Sequence, residues 1–397
     1  MSDILIIGAG ECGVRAAFAL REAGHEGGIA LIGAEPHLPY ERPPLSKTAP
    51  TAPKIIAEEA GYVEAGIALM RCSRVESINR AERRVRLSDG SALPYKKLLI
   101  ATGARARRFP GMEAARTLRS LDDARGILDA LGPGLRLAII GGGFIGLELA
   151  ATARKLGTEV TLVEAAERLM ARIVPAEIAE AMAGRHRAEG ARLILGTGVA
   201  EVRTNGITLA DGRIIEADMV VAGVGAEPET RLAAEAGLEV ANGIVVDGRL
   251  ATSDPHIFAA GDCCSFPFNG ARVRLESWRC AQDQGAHAAR AMLGCEEAYA
   301  RVPWFWSDQY DLTLQVAGLP DPSLGHVRRD LGGGAFILFQ RDDAGRLVSA
   351  SGVGSGNAVA KDIRLAEMIM EKGLRPDPTQ LKDPAVNLKT VLKGVPA

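Results

Sequence analysis

One glycine-punctuated unit occurs twice in this chain, 133 residues apart (Gly8 to Gly141), and few folds can carry such a repeat. The first copy is the apolar run Ile4-Leu5-Ile6-Ile7, then Gly8-Ala9-Gly10-Glu11-Cys12-Gly13, then a helical stretch ending at Gly24. The second is Leu137-Ala138-Ile139-Ile140, then Gly141-Gly142-Gly143-Phe144-Ile145-Gly146, then a helical stretch ending at Gly157. Each copy reads as strand, glycine turn, helix and glycine stop, and a second apolar strand follows: Ile29–Ile32 and Val160–Val163. The pattern has a chemical reason. The first glycine makes a tight turn, the second lets a pyrophosphate approach the backbone, and the third lets helix pack on strand. The anion then rests on the positive helix N-terminus. A lone G-x-G-x-x-G carries little weight, but two in register through strand, turn and helix predict two dinucleotide sites.

The copies differ where the second strand ends. Val163 is followed by Glu164, placed to accept hydrogen bonds from an adenosine ribose. Ile32 is followed by Gly33, Ala34 and Glu35, so the nearest acid is displaced; Glu35 is the ribose candidate there, with a solvated loop carboxylate as the alternative. Each unit closes with an apolar strand entering a glycine turn: Leu98–Thr102 into Gly103, and Met219–Ala222 into Gly223-Val224-Gly225. A further segment, Ile257-Phe258-Ala259-Ala260-Gly261-Asp262, resembles the one whose aspartate meets the ribityl chain of FAD in two-dinucleotide flavoproteins. The expected fold class is α/β, with two Rossmann-like domains in a glutathione-reductase-like arrangement. The FAD-binding domain is expected to be discontinuous, residues 1–108 and 240–303, with an NAD-binding domain at 109–239.

At 397 residues the chain has room for two or three domains, and 46 glycines against 4% aromatics suit many strand-to-helix turns. A net charge of −2 argues against nucleic acid as the main partner. The apolar start breaks at Gly8, so no signal peptide is expected. The stretch Leu135–Leu149 holds four glycines, Arg136 and Glu148, which excludes a membrane span there. A cytoplasmic location is the default. The six cysteines (Cys12, Cys72, Cys263, Cys264, Cys280, Cys295) form no C-x-x-C or C-x-x-x-x-C pair, so neither a dithiol relay nor a zinc site is expected.

Outside the glycine units, Pro39-Tyr40-Glu41-Arg42-Pro43-Pro44-Leu45-Ser46-Lys47 presents two cations on a proline-stiffened loop. With Gly141-Gly142-Gly143-Phe144-Ile145-Gly146-Leu147-Glu148 and Pro303-Trp304-Phe305-Trp306-Ser307-Asp308-Gln309, it resembles the FAD-dependent ferredoxin reductases of bacterial oxygenase systems. The likeness is to the reductase components of biphenyl-type dioxygenases and, more distantly, to putidaredoxin reductase, rubredoxin reductase and apoptosis-inducing factor. It extends to Asp383-Pro384-Ala385 and implies a small α+β C-terminal domain, residues 304–397, with an antiparallel sheet. Leu312–Val316, Phe336–Gln340 and Leu347–Gly352 read as its strands, and Ala358–Glu371 as a helix.

The resemblance places Arg42, Lys47, Thr102, Arg119 and Asp262 on FAD-binding positions, with Val75, Ala101 and Gly103 beside them. Lys47 and Glu148 are the implied catalytic pair, next to flavin and nicotinamide. A fixed cation there stabilises the anionic reduced ring, although a carboxylate on the first helical turn could instead serve only the helix dipole. Trp278, and Trp304 or Trp306, match aromatic positions near the flavin. Gly141, Gly143, Ile145, Gly146, Glu164 and Gly225 complete the nicotinamide side. The sequence departs from the pattern at Ala34, where an acid is common, at Cys12 inside the pyrophosphate turn, and at Cys280.

The implied reaction is hydride transfer from NADH to FAD, then single electrons to an acidic [2Fe–2S] ferredoxin that feeds an oxygenase. A stand-alone flavin oxidoreductase is the rival, and positions 36–71 lack the cysteine such relatives use. A non-catalytic, DNA-contacting role is the other alternative; residues 304–397 carry 11 Lys/Arg and 11 Asp/Glu, with no basic tail. Residues 71–125 hold 14 Lys/Arg against 6 Asp/Glu, much of it on a hairpin expected across Arg71–Leu99, which suggests a basic face for an acidic partner.

Overall fold

The first apolar run folds as strand Ser2–Ile7 at the centre of a five-stranded parallel sheet in a computed structural model that describes residues 2–47 and 53–393. The sheet order is Ile257–Ala259, Lys97–Ile100, Ser2–Ile7, Gly28–Ile32, Ile67–Met70. Its strands are near-continuous apolar runs because both faces are buried; Leu5, Ile6, Leu31, Leu98 and Leu99 have no exposure. The sheet belongs to a compact unit made of residues 1–42, 53–105 and 226–301. A segment that begins at Ile257 therefore sits in register beside Leu98, far from it in sequence. Helix Glu11–Glu22 follows the first strand and crosses helix Trp278–Met292. At the crossing sits Gly285, where a Cβ would collide with the Cys12 carbonyl oxygen and lie 3.2 Å from the Ala16 nitrogen.

Two expectations in this unit change in detail. The hairpin expected across Arg71–Leu99 is a three-stranded antiparallel sheet, Val75–Asn79, Arg84–Leu87 and Ala92–Pro94, before the chain re-enters the parallel sheet at Lys97. It contains two turns rather than one, at Arg83 (φ 52°) and Gly90 (φ 85°). The strand expected to reach Thr102 stops at Ile100, because the Thr102 hydroxyl turns to the Glu229 carbonyl oxygen at 2.6 Å.

The second unit comprises residues 43–52, 106–225 and 302–397. The repeated motif forms a second parallel sheet, ordered Arg192–Leu195, Glu159–Glu164, Arg136–Ile140, Met219–Ala222, Arg116–Thr117. Helix Phe144–Lys155 leaves its central strand. The C-terminal part is a five-stranded antiparallel sheet, ordered Trp304–Gln309, Leu312–Gly318, Leu347–Ser355, Ala335–Arg341, His326–Gly332, with helix Ala360–Glu371 packed on it. Strands Trp304–Gln309 and His326–Gly332 were not anticipated, since the first is dominated by aromatics and the second alternates around charged residues. The second strand carries Arg329, only 2% exposed. Its guanidinium donates to the carbonyl oxygens of Asp383 and Val386 at 2.7 Å, and its Nε lies 2.9 Å from Asp362 Oδ2. The Asp383-Pro384-Ala385 segment is thereby tied to the sheet by one buried cation.

Candidate functional site

In each glycine motif the first and third glycines are required by the protein itself. A Cβ on Gly8 would strike the Ala101 carbonyl, and one on Gly13 the Gly8 carbonyl oxygen. In the second copy Gly141 meets the Gly223 carbonyl and Gly146 the Gly141 carbonyl oxygen. The middle glycines differ: a Cβ on Gly10 or on Gly143 would have nothing within 4 Å. Both are also the N-caps of their helices, and neither helix has a side-chain cap. Open space in front of uncapped N–H groups is the cradle a pyrophosphate needs, so the residues present fit a dinucleotide in both places.

In the first unit the candidate residues gather at the carboxyl ends of the parallel strands. Gly8 N–H donates to the Ile32 carbonyl oxygen (2.8 Å), Ala101 N–H to Ile7 (2.8 Å) and Ala260 N–H to Ile100 (3.1 Å), which brings Thr102, Gly103, Gly261 and Asp262 to one edge. Val75 is buried at the start of its strand, and Ser73 beside it donates to the Gly33 carbonyl oxygen at 2.9 Å. Glu35 and Arg42 meet at 2.7 Å, and Tyr40 donates its hydroxyl to the other Glu35 oxygen. The displaced acid is thus held by the loop that the resemblance singles out.

Trp278 Nε1 donates to Glu11 at 2.9 Å and Gln282 to the other oxygen at 2.8 Å, on the first turn of the glycine helix. Burial raises the Glu11 pKa. Gln284, fully buried, accepts from the Gly261 N–H at 2.7 Å and so fixes the turn that presents Asp262. The thiol of Cys12 packs beneath Gly261, and Cys280 lies 3.8 Å from the Tyr299 hydroxyl. Burial pushes the Cys12 thiol well up and Cys280 to about 12, which leaves both un-ionised and unreactive at neutral pH.

In the second unit Glu164 ends its strand with both oxygens engaged, accepting from Gly142 N–H at 2.7 Å and Ala166 N–H at 2.8 Å. Each oxygen keeps a further lone pair for a ribose hydroxyl. Arg168, close by in sequence, is held by the carbonyl oxygens of Val174 (2.9 Å) and Ala171 (2.6 Å). Ile145 is 43% exposed on the first helical turn, and Gly225 lies in open space after Met219–Ala222. Arg119 precedes the capping box of helix Leu121–Leu128, its N–H donating to Asp123 at 3.1 Å.

The same unit brings Lys47 and Glu148 together, Nζ to Oε1 at 3.5 Å, with Asp308 3.2 Å from the ammonium and the Trp306 ring beneath it, 5.1 Å to the centroid. Trp306 stacks on Trp304 at 5.3 Å. Glu148 is 7% exposed and accepts from the hydroxyls of Ser46 and Ser307, the latter at 2.6 Å. Its pKa is raised by burial, against the pull of Lys47 and the two hydroxyls. Ser46 and Ser307 lie inside runs already noted, but nothing in their identity singled them out. Behind them stand Gln309 and His186, and His186 gave no sequence signal at all.

Part of the expected basic face is taken up in ion pairs. Arg71 meets Glu59, Arg80 meets Asp254, Lys96 meets Asp3, and Arg105 meets Glu227 and Glu229. The acids come from outside the 71–125 stretch, which a local count cannot see. Arg83 and Arg84, at one turn of the antiparallel sheet, remain exposed. Among the described residues, no helix is long and apolar enough to cross a membrane.

The family model for pyridine nucleotide-disulphide oxidoreductases matches residues 2–285, and the reductase C-terminal model matches 304–392. The chain is 43% identical over 405 residues to the ferredoxin–NAD(+) reductase component of the anthranilate 1,2-dioxygenase system of Burkholderia cepacia, covering 98% of each chain. It is 40% identical over 366 residues to the corresponding component of the 3-phenylpropionate/cinnamic acid dioxygenase of Photorhabdus laumondii subsp. laumondii, covering 89% of this chain and 93% of that one. Among solved structures it superposes on putidaredoxin reductase in its covalent complex with putidaredoxin, with a TM-score of 0.92 and 34% identity over 99% of this chain and 98% of the other.

Proposed function

This chain belongs to the pyridine nucleotide-disulphide oxidoreductase family, and we propose that within it the protein is an NADH-dependent ferredoxin reductase. It oxidises NADH and delivers electrons one at a time to an iron–sulfur ferredoxin, which passes them to a Rieske dioxygenase or a cytochrome P450. FAD supplies the conversion, because it accepts a two-electron hydride and releases electrons singly. The observation that carries this reading is the pair of middle glycines, Gly10 and Gly143, each facing open space at an uncapped helix N-terminus. The relatives named above, ferredoxin–NAD(+) reductase components over nearly their whole lengths, support the ferredoxin as acceptor.

The chain's own residues divide the work. Gly8, Gly10 and Gly13 with the first helix hold the FAD pyrophosphate, Glu35 and Arg42 the adenosine side, and Thr102, Gly103 and Asp262 the remainder. Gly141, Gly143 and Gly146 hold the NADH pyrophosphate. Glu164 accepts the ribose hydroxyls and repels a 2′-phosphate, while the Arg168 guanidinium is turned to the Val174 and Ala171 carbonyl oxygens. Lys47 provides a fixed cation and Glu148 its partner. The proposed functional domains are 1–108 with 240–303 for FAD, 109–239 for NADH and 304–397 at the C-terminus. A cytoplasmic location belongs to the same reading, since the NADH pool is there.

The purified protein is expected to be yellow, to bleach with NADH, and to reduce cytochrome c only when a [2Fe–2S] ferredoxin is added. Rapid NADH consumption by oxygen alone, unchanged by ferredoxin, would favour a stand-alone oxidase instead.

A further inference from the structure

Glu148 does not end its contacts at Ser307. Gln309, 1% exposed, donates its Nε2 to the Ser307 Oγ at 3.1 Å, and its Oε1 lies 2.8 Å from His186 Nε2. His186 has no exposure, and its Nδ1 is 3.2 Å from the hydroxyl of half-buried Tyr310. The direction of every bond follows from the first. Ser307 has one proton and gives it to the carboxylate, so its oxygen must accept from the Gln309 amide. The Gln309 carbonyl then faces His186, whose Nε2 must carry a hydrogen, and Nδ1 is left to accept from Tyr310. All donors point toward Glu148. Thr152 steadies the other side, its hydroxyl donating to the Ser46 carbonyl oxygen at 2.7 Å.

We propose that Gln309 and His186 are positioning residues for Glu148, acting through Ser307 to keep its carboxylate ionised and aimed at Lys47. The proposal rests on the function above, in which Lys47 and Glu148 work at the reacting rings. A buried carboxylate persists in charged form only where donors and a cation offset its lost hydration. Lys47 supplies the cation and Ser46 one donor, while Ser307 can serve only if its hydroxyl is turned the right way. Gln309 occupies the Ser307 lone pair and so turns it. His186, neutral because burial lowers its pKa, orients Gln309 without adding a charge. The other charged groups near the chain are Asp308 beside Lys47, Glu189 facing His186, and Arg154, Lys155, Arg185 with its partner Asp311, and Glu189 around Tyr310.

The test follows NADH bleaching of the bound flavin, and the flavin midpoint potential, across pH in the holoprotein without ferredoxin. Losing a donor disfavours the carboxylate, so Glu148 becomes protonated at higher pH. Gln309→Leu and Ser307→Ala should each move the acid limb of the bleaching rate, and the break in the potential–pH plot, upward by about one pH unit. If Gln309 acts through Ser307, the double variant should shift no further than Ser307→Ala alone. If Gln309→Leu does not accumulate as holoprotein, Tyr310→Phe at the outer end should shift both profiles the same way by less. Superimposable profiles, a rate loss equal at every pH, or additive shifts in the double variant would each overturn the proposal. A wild-type protein that NADH does not bleach would instead refute the functional reading itself.

Discussion

Two alanine substitutions only three residues apart in sequence, at Gly10 and Gly13, separate what the fold needs from what the ligand needs. At Gly13 a Cβ collides with the Gly8 carbonyl oxygen and lies 3.2 Å from the Ile6 side chain, so helix Glu11–Glu22 must lift off its strand. Overpacking of that kind costs ~1–3 kcal/mol, of which the better helix propensity of alanine returns ~1. At Gly10 a Cβ touches no protein atom. An alanine N-cap is slightly poorer than glycine, by roughly 0.5 kcal/mol, and the stiffer unfolded chain returns about as much. Flavin-free Gly10→Ala should therefore melt within a degree or two of flavin-free wild type, whereas Gly13→Ala should melt lower by up to a few degrees. Adding FAD at 100 times its dissociation constant stabilises the wild type by ~2.7 kcal/mol, and that increment should vanish in Gly10→Ala. Flavin content after purification and melting curves with and without FAD decide the matter. A Gly10→Ala protein that keeps its full flavin, or that is destabilised in flavin-free form as much as Gly13→Ala, would refute the reasoning.

Glu164→Gln keeps a carbonyl oxygen for one of the two backbone N–H groups but loses the charge, so the NADH-over-NADPH ratio of kcat/KM should narrow about tenfold; Glu164→Ala should narrow it while also raising KM for NADH. Arg329→Met leaves buried carbonyl oxygens and Asp362 without their partner and should cost ~3–5 kcal/mol, read as an early melting transition with flavin still bound. Because Arg83 and Arg84 stay exposed while Arg80, Lys96 and Arg105 are paired, ferredoxin-dependent cytochrome c reduction should fall as ionic strength rises, and Arg83→Glu with Arg84→Glu should weaken that dependence. Bleaching by NADH should be indifferent to both.

The parts legible in the sequence were those where local chemistry and the fold agree. Gly8, Gly13, Gly141 and Gly146 declare themselves because backbone must pass close to backbone, and the apolar runs beside them because both sheet faces are buried. Glu164 could be read from its place at a strand end. What stayed hidden depends on residues distant in sequence. The charge excess of 71–125 is partly offset by Asp3, Glu227, Glu229 and Asp254. The hold of the Val174 and Ala171 carbonyl oxygens on Arg168 likewise shows only in the fold. His186 lies on an ordinary helix, and only the strand ending at Gln309 gives it a role.

The crossing of helix Glu11–Glu22 with Trp278–Met292 at Gly285 bears on how the protein is made. The flavin cradle needs strand Ile257–Ala259 and the helix after it, yet both leave the ribosome long after Gly8-Ala9-Gly10. At roughly 5–20 residues per second, the stretch from Ile100 to Ala260 takes on the order of ten to thirty seconds to synthesise. During that interval the parallel sheet of the second unit, whose strands run from Arg116 to Ala222, can already close. The first sheet meanwhile waits with Leu98 and Leu99 lacking their edge partner. FAD is therefore expected to join late, after Met292 has emerged. A nascent chain halted before Gly285 should pair with a nicotinamide nucleotide sooner than with a flavin.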